Sequence, residues 1–360
     1  MIKWVIKEDH ELRNQLLQLI SDNEWSDLFI TVWNYPIIKV AWELTPIDQW
    51  IEKLTWRDTM EFAQSVLTEK QHDELIKKRN LDFAFSFWER RFRWNASFQM
   101  WNYMLVFRLL SWKILSINDL NLPDVYAEVT KRWQWLILVT GPTGSWKSTT
   151  LAAMIDFINT NYSKHIITIE DPVEYIHKHK KSLVEQKEIW KDVLDYKTAL
   201  AWAMRQAPDV ILFWEMRTPE EIWMALTLAE TGHLVFSTLH TRSAHQTLSR
   251  IIDSFETHAQ NQVRMQLADI LIWIFSQRLL KWKISWKIHM VKEILINTTA
   301  ISNLIRENDL HQIPSIMQMW KKEWMQMLEQ DIIELIKAWV IEEEEWLKYS
   351  NNPKMIKESL

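Results

Sequence analysis

The sequence predicts a small α+β domain followed by a larger α/β domain whose sheet is mostly parallel. Its length of 360 residues suits two domains. The residues before about 115 contain a hairpin pattern and strictly alternating strands, whereas those from about 130 alternate buried strands with helices. Such alternation is typical of a parallel sheet with helical crossovers. The first strand and helix of this second part enclose a loop, residues 141–148, with the spacing of a phosphate-binding loop.

Composition and charge exclude several classes of protein. The formal net charge is −5 and the isoelectric point about 6.2, so no general basic field for nucleic acid exists. Cysteine is absent, which excludes disulfides, thiolate zinc sites and cysteine nucleophiles. The first residues lack the apolar region of a signal peptide, and the most apolar later window, 268–275, is too short to cross a bilayer. We therefore expect an intracellular protein without a transmembrane segment.

In the first part of the chain, we expect a helical extension over residues 1–25 and an α+β domain over 26–115. A turn between two apolar runs predicts a hairpin at 26–40, and strict alternation predicts a strand at 81–87. Residues 116–129 are predicted to form a linker. The remaining expected elements of this part are helices at 57–67 and 71–78 and strands at 90–95 and 103–110.

The α/β domain is expected over residues 130–345, with a tail at 346–360. After Ser243 the pattern becomes mainly helical, and the acidic run at 342–345 reads as a solvated helix start. The predicted strands are 135–140, 165–170, 209–214 and 233–238. The predicted helices are 147–160, 195–206, 219–230, 244–255, 258–273, 298–306 and 325–338.

The loop after the first strand of this domain carries the strongest functional signal. A phosphate-binding loop uses glycine so that consecutive backbone N–H groups turn inward around phosphate oxygens. Lys147 would neutralise phosphate charge, and the hydroxyl of Ser148 would hold Mg²⁺ that is bound to the nucleotide. The second signature glycine is replaced by Trp146, whose side chain does not suit a backbone that must approach the nucleotide closely. The candidate nucleotide-binding residues are Gly141, Pro142, Thr143, Gly144, Ser145, Trp146, Lys147, Ser148 and Thr149.

Trp146 belongs to a wider anomaly of composition. The chain has 3 Gly and 24 Trp, together 27 residues. Ordinary usage of about 7% glycine would give roughly 25 glycines in a chain of this length. Several tryptophans stand where glycine chemistry is wanted, such as Trp33 at a hairpin turn and Trp339 at a helix end. We therefore hypothesise that most tryptophans are glycine in the native protein, because its gene reads the codon UGA as glycine; the alternative is a genuinely tryptophan-rich chain.

Two carboxylates follow predicted buried strands of the α/β domain. Glu170 ends the strand at 165–170, and Glu215 follows the strand at 209–214. Carboxyl ends of parallel strands share the sheet edge at which ligands bind in open α/β folds. Each carboxylate could polarise the attacking water or hold Mg²⁺ through water, although a structural cap is an equally good reading of either one alone.

Histidines and arginines form the remaining candidates. His233 and His240 flank one strand, a spacing at which both rings cannot easily reach one small ion. Arg93 belongs to a basic cluster in the first domain, and Arg108 follows it. The cluster is either a solvated sheet face or a source of charge for a neighbouring subunit's active site. Interleaved aromatics raise single-strand nucleic-acid binding as an alternative, which the acidic net charge disfavours.

These sequence boxes together resemble one family, the secretion ATPases of type II and type IV pilus machines, with the pilus-retraction ATPases as the most similar branch. The resemblance covers about residues 26–340, and the short sequence motifs (boxes) that carry it occur in the family's order. Where the family has glycine in these boxes, this chain has Gly or Trp, as at positions 146 and 214. The boxes begin at Asp27, Arg91, Gly141, Ile169, Glu215, Ala229 and Thr238.

The resemblance implies ATP hydrolysis with Mg²⁺, with Glu215 as the main catalytic carboxylate and Glu170 assisting. It implies that His233 and His240 lie near the nucleotide. It also implies that arginines such as Arg93 and Arg108 reach the nucleotide across domains.

The resemblance also implies an architecture and an assembly. The first domain would be PAS-like and the second RecA-like, and six copies would form a homohexameric ring. The ring would dock on the inner face of the cytoplasmic membrane and turn a platform protein, so that pilin subunits leave the fibre. No direct contact with nucleic acid is expected.

Two details bear on the branch within the family. Extension and secretion ATPases carry a tetracysteine zinc site, and this chain has no cysteine. Residues 300–307 resemble the retraction signature, but Ser302 stands where that signature has arginine. The alternatives are therefore a pilus-extension, DNA-uptake or type II secretion ATPase, or a catalytically inactive ring subunit if Trp146 is genuine.

Overall fold

The computed structural model describes residues 11–23, 25–40, 43–48, 51–88, 90–110, 113–281, 288–319, 324–341, 346 and 349–360. The expectations for residues 1–10 and 342–345 lie outside these ranges. The chain divides into two compact units, the first ending at Lys113 and the second beginning at Ile114.

The first unit is built on a six-stranded sheet in the order β3-β2-β1-β6-β5-β4, with every neighbouring pair antiparallel. The predicted hairpin and the three later strands are present. The strand β3 was not predicted, because it lies at the sheet edge with all four residues exposed and so lacks an alternating apolar pattern. The strands are β1 (Asp27–Ile30), β2 (Ile37–Val40), β3 (Glu43–Pro46), β4 (Asn80–Phe87), β5 (Arg90–Gln99) and β6 (Asn102–Leu110).

Three helices complete this unit: α1 (Glu11–Asn23), α2 (Trp56–Val66) and α3 (Glu69–Lys78). The capping boxes at Thr55 and Thr68 start α2 and α3, since each threonine accepts from the backbone three residues on. The prediction of an N-terminal extension is wrong for α1. Its residues Leu16, Leu17 and Ile20 are fully buried in the core of the unit, because they recur at helical spacing on one face.

The second unit contains a seven-stranded sheet in the order β13-β12-β7-β11-β10-β8-β9. The neighbouring strands from β12 to β9 are parallel, and the edge strand β13 is antiparallel to β12. The four predicted strands are present as β7, β8, β10 and β11. The strands are β7 (Trp135–Thr140), β8 (His165–Glu170), β9 (Leu183–Glu188), β10 (Val210–Phe213), β11 (Leu234–Leu239), β12 (Leu271–Lys281) and β13 (Ile288–Ile296).

The predicted mainly helical region after Ser243 is wrong in one important respect, because it contains the hairpin of β12 and β13. The predicted helix at 258–273 ends at Ile270, and β12 begins at the next residue. No proline or glycine separates them, and periodicity cannot distinguish a short apolar run in a helix from one in a strand. The strand β9 was missed because four of its six residues are polar.

The helices of the second unit lie on both sides of its sheet, as shown by two core clusters that share the sheet's strands. Among the described residues, every helix is too short or too polar to span a bilayer. The helices are α4 (Val125–Glu128), α5 (Lys147–Asn161), α6 (Tyr196–Ala203), α7 (Pro219–Glu230), α8 (Ala244–Asp253), α9 (Thr257–Ile270), α10 (Thr299–Glu307), α11 (Ile313–Met319), α12 (Leu328–Lys337) and α13 (Pro353–Ser359).

The segment predicted to be a linker, 116–129, is part of the core of the second unit. Ile117, Leu122 and Val125 are buried there, and Tyr126 stacks on Phe275 with ring centroids 3.9 Å apart. A linker should be polar and exposed, whereas this segment carries apolar residues that bury against α5 and the sheet.

The predicted tail is also packed against the second unit. Trp346 and Ile356 are fully buried beside α12. The buried carboxylate of Glu329 accepts hydrogen bonds from the Ser350 hydroxyl and from the backbone N–H groups of Asn351 and Asn352, at 2.8–3.1 Å. One carboxylate therefore fixes the start of α13.

The backbone at many tryptophans is unusual. Among the described residues, fourteen non-glycine residues have positive φ, and eight of them are tryptophan. A side chain in the left-handed region costs about 1–2 kcal/mol, so eight of them cost roughly 8–16 kcal/mol, comparable to the whole net stability of a domain at about 5–15 kcal/mol. The eight are Trp33, Trp88, Trp101, Trp135, Trp146, Trp190, Trp324 and Trp339.

The contact of Glu329 with the last helix predicts a stability effect. Glu329→Ala removes a buried carboxylate that accepts from the Ser350 hydroxyl and from two backbone N–H groups, so the free energy of unfolding should fall by about 1–3 kcal/mol in a urea titration. The exposed Glu358→Ala, on α13 itself, is the matched control and should change it by less than about 0.5 kcal/mol. Equal losses for the two variants would contradict the role given to Glu329.

Candidate active site

The phosphate-binding loop lies at the carboxyl edge of the parallel strands. It connects β7 to α5, and β7 is flanked by β11 and β12. Glu170 ends β8, Glu215 follows β10 by two residues and His240 follows β11 directly. The four predicted site segments therefore meet at one sheet edge, as expected for an open parallel sheet.

Glycine is required at position 141 by steric contact as well as by conformation. Gly141 has a φ of 148°, and a Cβ atom there would lie 2.3 Å from the backbone oxygen of Gln277. Gly144 also has positive φ, at 76°. Trp146 has φ 64° and ψ 28°, a left-handed conformation directly before the first residue of α5. The loop therefore has the backbone of a phosphate-binding loop, including the position at which tryptophan replaces the signature glycine.

Lys147 is buried inside this loop. Its ammonium donates hydrogen bonds to the carbonyl oxygens of Gly141 and Pro142, at 2.9 and 3.0 Å. Burial lowers the pKa of Lys147 to about 8, and the nearby carboxylates of Glu215 and Glu174 act in the opposite direction. A cation in a shell of loop carbonyls is ready to exchange these weak partners for phosphate oxygens.

A chain of polar contacts joins Lys147 to the strand-end carboxylate. The Lys147 ammonium lies 3.5 Å from Nδ1 of His240, and Nε2 of His240 lies 3.4 Å from a carboxylate oxygen of Glu215. The other Glu215 oxygen accepts two bonds from the Arg217 guanidinium, at 2.9 and 2.8 Å. The structure thus brings together three predicted site residues and adds Arg217 to them.

The contacts of His240 define its tautomer. An ammonium can only donate, so Nδ1 accepts from Lys147 and Nε2 carries the proton that faces Glu215. Burial lowers the pKa of His240, and the charge of Lys147 lowers it further, against the influence of Glu215. His240 is therefore a neutral side chain that contacts the ammonium of Lys147 on one side and the carboxylate of Glu215 on the other.

Glu170 is buried and lies in a different local environment. It accepts hydrogen bonds from the Thr168 hydroxyl at 2.6 Å and from the Gln186 amide at 3.3 Å. Burial raises the pKa of Glu170 to about 7, although both hydrogen bonds lower it. The Glu170 carboxylate thus bonds these two side chains, and its raised pKa supports a proton-holding group.

Hydroxyl groups of the loop, of the start of α5 and of β11 are the remaining polar groups of this site. Ser148 is half-buried in the first turn of α5, and the Thr149 hydroxyl lies 2.8 Å from the hydroxyl of Tyr175. The buried hydroxyls of Ser145 and Thr238 have no partner among the described residues. Orphaned buried hydroxyls beside a phosphate-binding loop are suited to a polar ligand.

His233 is not at this site. It precedes the first residue of β11, whereas His240 follows the last, so a strand of six residues, about 20 Å long, separates them. The His233 ring bonds the Leu228 carbonyl oxygen at 2.9 Å and closes the turn after α7. The expectation that both histidines lie near the nucleotide is therefore wrong for His233 in the single chain.

Arg93 and Arg108 lie on the sheet of the first unit, directly opposite each other on β5 and β6. Arg108 pairs with Asp27 at 2.8 Å. Like charges opposite each other on a sheet destabilise it unless they have partners, and Asp27 offsets the charge of Arg108 here. Their expected contact with a nucleotide across domains stays a prediction.

Sequence reasoning missed Gln277, which is fully buried on β12 behind the loop. Its side-chain oxygen accepts from the Thr150 hydroxyl at 3.0 Å, and its amide donates to the Ser145 carbonyl oxygen at 2.5 Å. No signal near residue 277 could have revealed this, because β12 itself was not predicted to be a strand. Arg217 was visible beside Glu215, but its pairing with that carboxylate depends on the turn after β10.

With this geometry established, comparison with known proteins identifies the family. The family model described as type II/IV secretion system protein matches residues 89–287, which is more than half of the chain. The chain belongs to this family. The twitching motility protein of Neisseria gonorrhoeae is 40% identical over 333 residues, covering 92% of this chain and 87% of that protein. The type IV pilus retraction ATPase PilT of Pseudomonas aeruginosa is 39% identical over 331 residues, covering 92% and 95%.

A solved structure agrees with this membership. The crystal structure of the pilus retraction motor PilT with bound ADP superimposes with a TM-score of 0.89 at 41% identity, covering 96% of this chain and 98% of that chain. The predicted fold class, a RecA-like P-loop domain preceded by a small α+β domain, is confirmed.

The burial of Glu170 predicts a dependence of stability on pH. Its pKa in the folded chain, about 7, lies above the ordinary value of 4.5. Between these values the unfolded chain is ionised at this residue while the folded chain retains the proton, so this contribution to stability is lost as the pH rises from about 4.5 to about 7.

Glu170→Gln cannot ionise and should lack this loss. The free energy of unfolding of Glu170→Gln, relative to the parent, should therefore rise by about 3 kcal/mol between pH 4 and pH 8 in denaturant titrations. The exposed Glu220→Gln is the control and should show no such trend. A flat difference for Glu170→Gln would refute a proton held by Glu170.

Proposed function

We propose that this chain is the ATP-hydrolysing motor subunit that drives type IV pilus retraction. One observation carries the enzymatic part: the continuous contacts that link the loop lysine Lys147 through His240 to the strand-end carboxylate Glu215. The pilus-retraction part is supported by near-full-length similarity to proteins named for twitching motility and pilus retraction.

The geometry assigns a role to each residue of this chain. Lys147 moves from the loop carbonyls to the β- and γ-phosphates of ATP and neutralises their charge. Glu215 accepts a hydrogen bond from the attacking water and orients it towards the γ-phosphate. His240 holds Glu215 at a fixed distance from Lys147, so that the position of the bound phosphate and that of the water are coupled.

Arg217 has a supporting role in this arrangement. Its two bonds fix one oxygen of Glu215 and leave the other facing His240. The side-chain hydrogen bond to Glu215 raises the pKa of Arg217, so the guanidinium stays charged throughout the working pH range. We propose Arg217 as a positioning residue for the carboxylate.

The residues present fit Mg²⁺ that arrives with the nucleotide. Ser148 stands where its hydroxyl would hold the ion, and the described residues contain no cluster of three His, Cys, Asp or Glu side chains that would bind a metal independently. The ion, when bound, would neutralise charge on the β- and γ-phosphates. Glu170, which retains its proton up to about pH 7, is proposed to assist as a proton-holding group.

We further propose a homohexameric ring in which Arg93 and Arg108 of one subunit contribute positive charge at a nucleotide. These two arginines lie directly opposite each other on one sheet, so a bound phosphate would offset their mutual repulsion and would itself be stabilised by their charge. The ring would act in the cytoplasm, docked on a platform protein at the inner face of the membrane.

The alternatives make different demands on the chain. A pilus-extension or DNA-uptake motor would hydrolyse ATP in the same way but use the energy for a different movement. The names of the relatives that match over nearly their whole length favour retraction. Ser302, which departs from the retraction signature, is buried and bonds the Ala268 carbonyl oxygen at 2.9 Å. A catalytically inactive ring subunit follows only if Trp146 is genuine and blocks the phosphate site.

The role of Glu215 predicts a separation of ATP binding from hydrolysis. Glu215→Gln keeps the size and one hydrogen-bond acceptor but loses the anion that activates water, so ATP turnover should fall by about 10²–10³-fold. The dissociation constant for ADP should change less than about threefold, as measured by calorimetry. Glu220→Gln, which alters an exposed residue of α7, should retain full turnover. Undiminished turnover by Glu215→Gln would remove Glu215 from the mechanism.

A cellular experiment tests the retraction part separately. The gene is introduced into a piliated host that lacks its own retraction ATPase, with the Glu215→Gln form as control. Restored twitching and loss of excess surface pili are expected only for the active form. Restored piliation in an assembly-deficient host would instead support the extension alternative.

A further inference from the structure

We infer from the backbone that eight positions of this chain are glycine in the native protein, although tryptophan is printed there. All eight lie in the left-handed half of the φ range, with φ between 52° and 115°. Bulky side chains avoid this region, whereas glycine enters it freely. The eight positions are 33, 88, 101, 135, 146, 190, 324 and 339.

The hairpin between β5 and β6 shows the requirement most directly. Gln99 pairs with Asn102, so Met100 and Trp101 form a two-residue turn. Both have positive φ, at 47° and 68°, which defines the turn type that strongly favours Asn-Gly. The indole of Trp101 is 88% exposed and therefore gains almost nothing from packing.

The end of α12 gives an independent case. The N–H of Trp339 donates to the Ile336 carbonyl oxygen, and the N–H of Val340 donates to that of Leu335. This pair of bonds is the Schellman motif, whose left-handed residue is usually glycine. Trp339 occupies that residue, with a φ of 57° and an exposed side chain.

The other tryptophans among the described residues do not have positive φ, so the backbone assigns no glycine to them. Trp202 lies inside α6, where glycine would weaken the helix. Trp94 is buried on β5 and stacks on Phe107 with ring centroids 5.0 Å apart. The backbone therefore distinguishes the tryptophans that should be glycine from those for which it gives no such indication, which composition alone could not do.

The identity of the residues is tested by mass spectrometry of the protein isolated from its own host. Peptides covering positions 135 and 146 should have the residue mass of glycine at both. Tryptophan at either position would overturn the inference for that position. This result is independent of enzymatic activity.

A matched pair of exposed positions tests the physical basis. In the printed sequence, Trp101→Gly should raise the midpoint of thermal unfolding because it relieves the turn. Trp202→Gly should lower the midpoint, because α6 gains a flexible residue in place of an indole that is also exposed, at 58%. Shifts of the same sign in both variants would show that the left-handed backbone is not the cause.

A different observation carries a second inference, which rests on the proposed nucleotide binding. We propose that Gln277 is the positioning residue that aims the loop's backbone at phosphate. Its side chain bonds the Ser145 carbonyl oxygen in the loop and the Thr150 hydroxyl in α5. Its backbone oxygen lies 2.3 Å from where a Cβ atom at position 141 would be, and so requires glycine there. No part of Gln277 is exposed, and so it reaches the nucleotide only through the loop.

Because the peptide bond is planar, the hydrogen bond from the Gln277 amide to the Ser145 carbonyl oxygen also orients the next N–H group. The C=O of Ser145 and the N–H of residue 146 lie in one plane and point in opposite directions. The Gln277 amide holds the C=O towards β12, so the N–H of residue 146 is turned away from β12. Phosphate oxygens require inward-facing N–H groups of this kind.

The test is the affinity of Gln277→Leu for ADP, with Ser276→Ala as the matched control. Ser276 is the preceding residue and its hydroxyl bonds Thr140 at 2.7 Å, so the control removes a buried hydrogen bond of the same strand without altering the loop contact. Gln277→Leu should raise the dissociation constant for ADP by about ten- to a hundredfold, and Ser276→Ala by less than about threefold. Similar affinities in the two variants would overturn the proposal.

A second variant covers the possibility that Gln277→Leu does not fold. Gln277→Glu retains the acceptor for Thr150 but loses the donor to Ser145 once its buried carboxyl ionises. Its ADP affinity, relative to that of Ser276→Ala at the same pH, should therefore fall as the pH rises and recover as the pH is lowered. A constant ratio of the two affinities up to about pH 9 would refute the role of the donor. Absence of ADP binding in the parent protein would instead count against the proposed function.

Discussion

The structure of this site depends on one constraint: the loop after β7 must present backbone N–H groups on its inner side. Three left-handed residues, Gly141, Gly144 and Trp146, create that curvature. The side chain of Gln277 then holds the loop from behind, and the ammonium of Lys147 holds it from within. Contacts within the chain itself therefore hold the curvature of the loop.

Burial determines how charge is distributed around this loop. It lowers the pKa of Lys147 and raises that of Glu170, so each group is closer to neutrality than its side chain would be in water. Glu215 has charged and polar partners instead, since Arg217 contacts one of its oxygens and His240 the other. The two strand-end carboxylates, which look alike in the sequence, are therefore chemically distinct in the fold.

The sequence predicted the parallel sheet and most of the site, because strand ends and the loop spacing are local patterns. It failed where long-range packing decides the outcome. The strand β12 carries an apolar run that resembles the helix before it, so Gln277 was not recognised. The spacing of His233 and His240 already placed them at opposite ends of one strand, whereas the family resemblance implied that both lie near the nucleotide; in the single chain the spacing decides. Segment 116–129 was called a linker although its apolar residues complete a core.

The alternation of side chains along β12 connects two distant parts of the chain. Gln277 contacts the phosphate-binding loop, and the next residue, Arg278, donates to the Asn351 side chain and to the Arg242 carbonyl oxygen. Adjacent residues of one strand thus contact the loop and the segment before α13. A tag or fusion that displaces residues 350–352 would break a hydrogen bond of Arg278, one residue away from Gln277, so nucleotide affinity is best measured on a chain that carries its tag elsewhere.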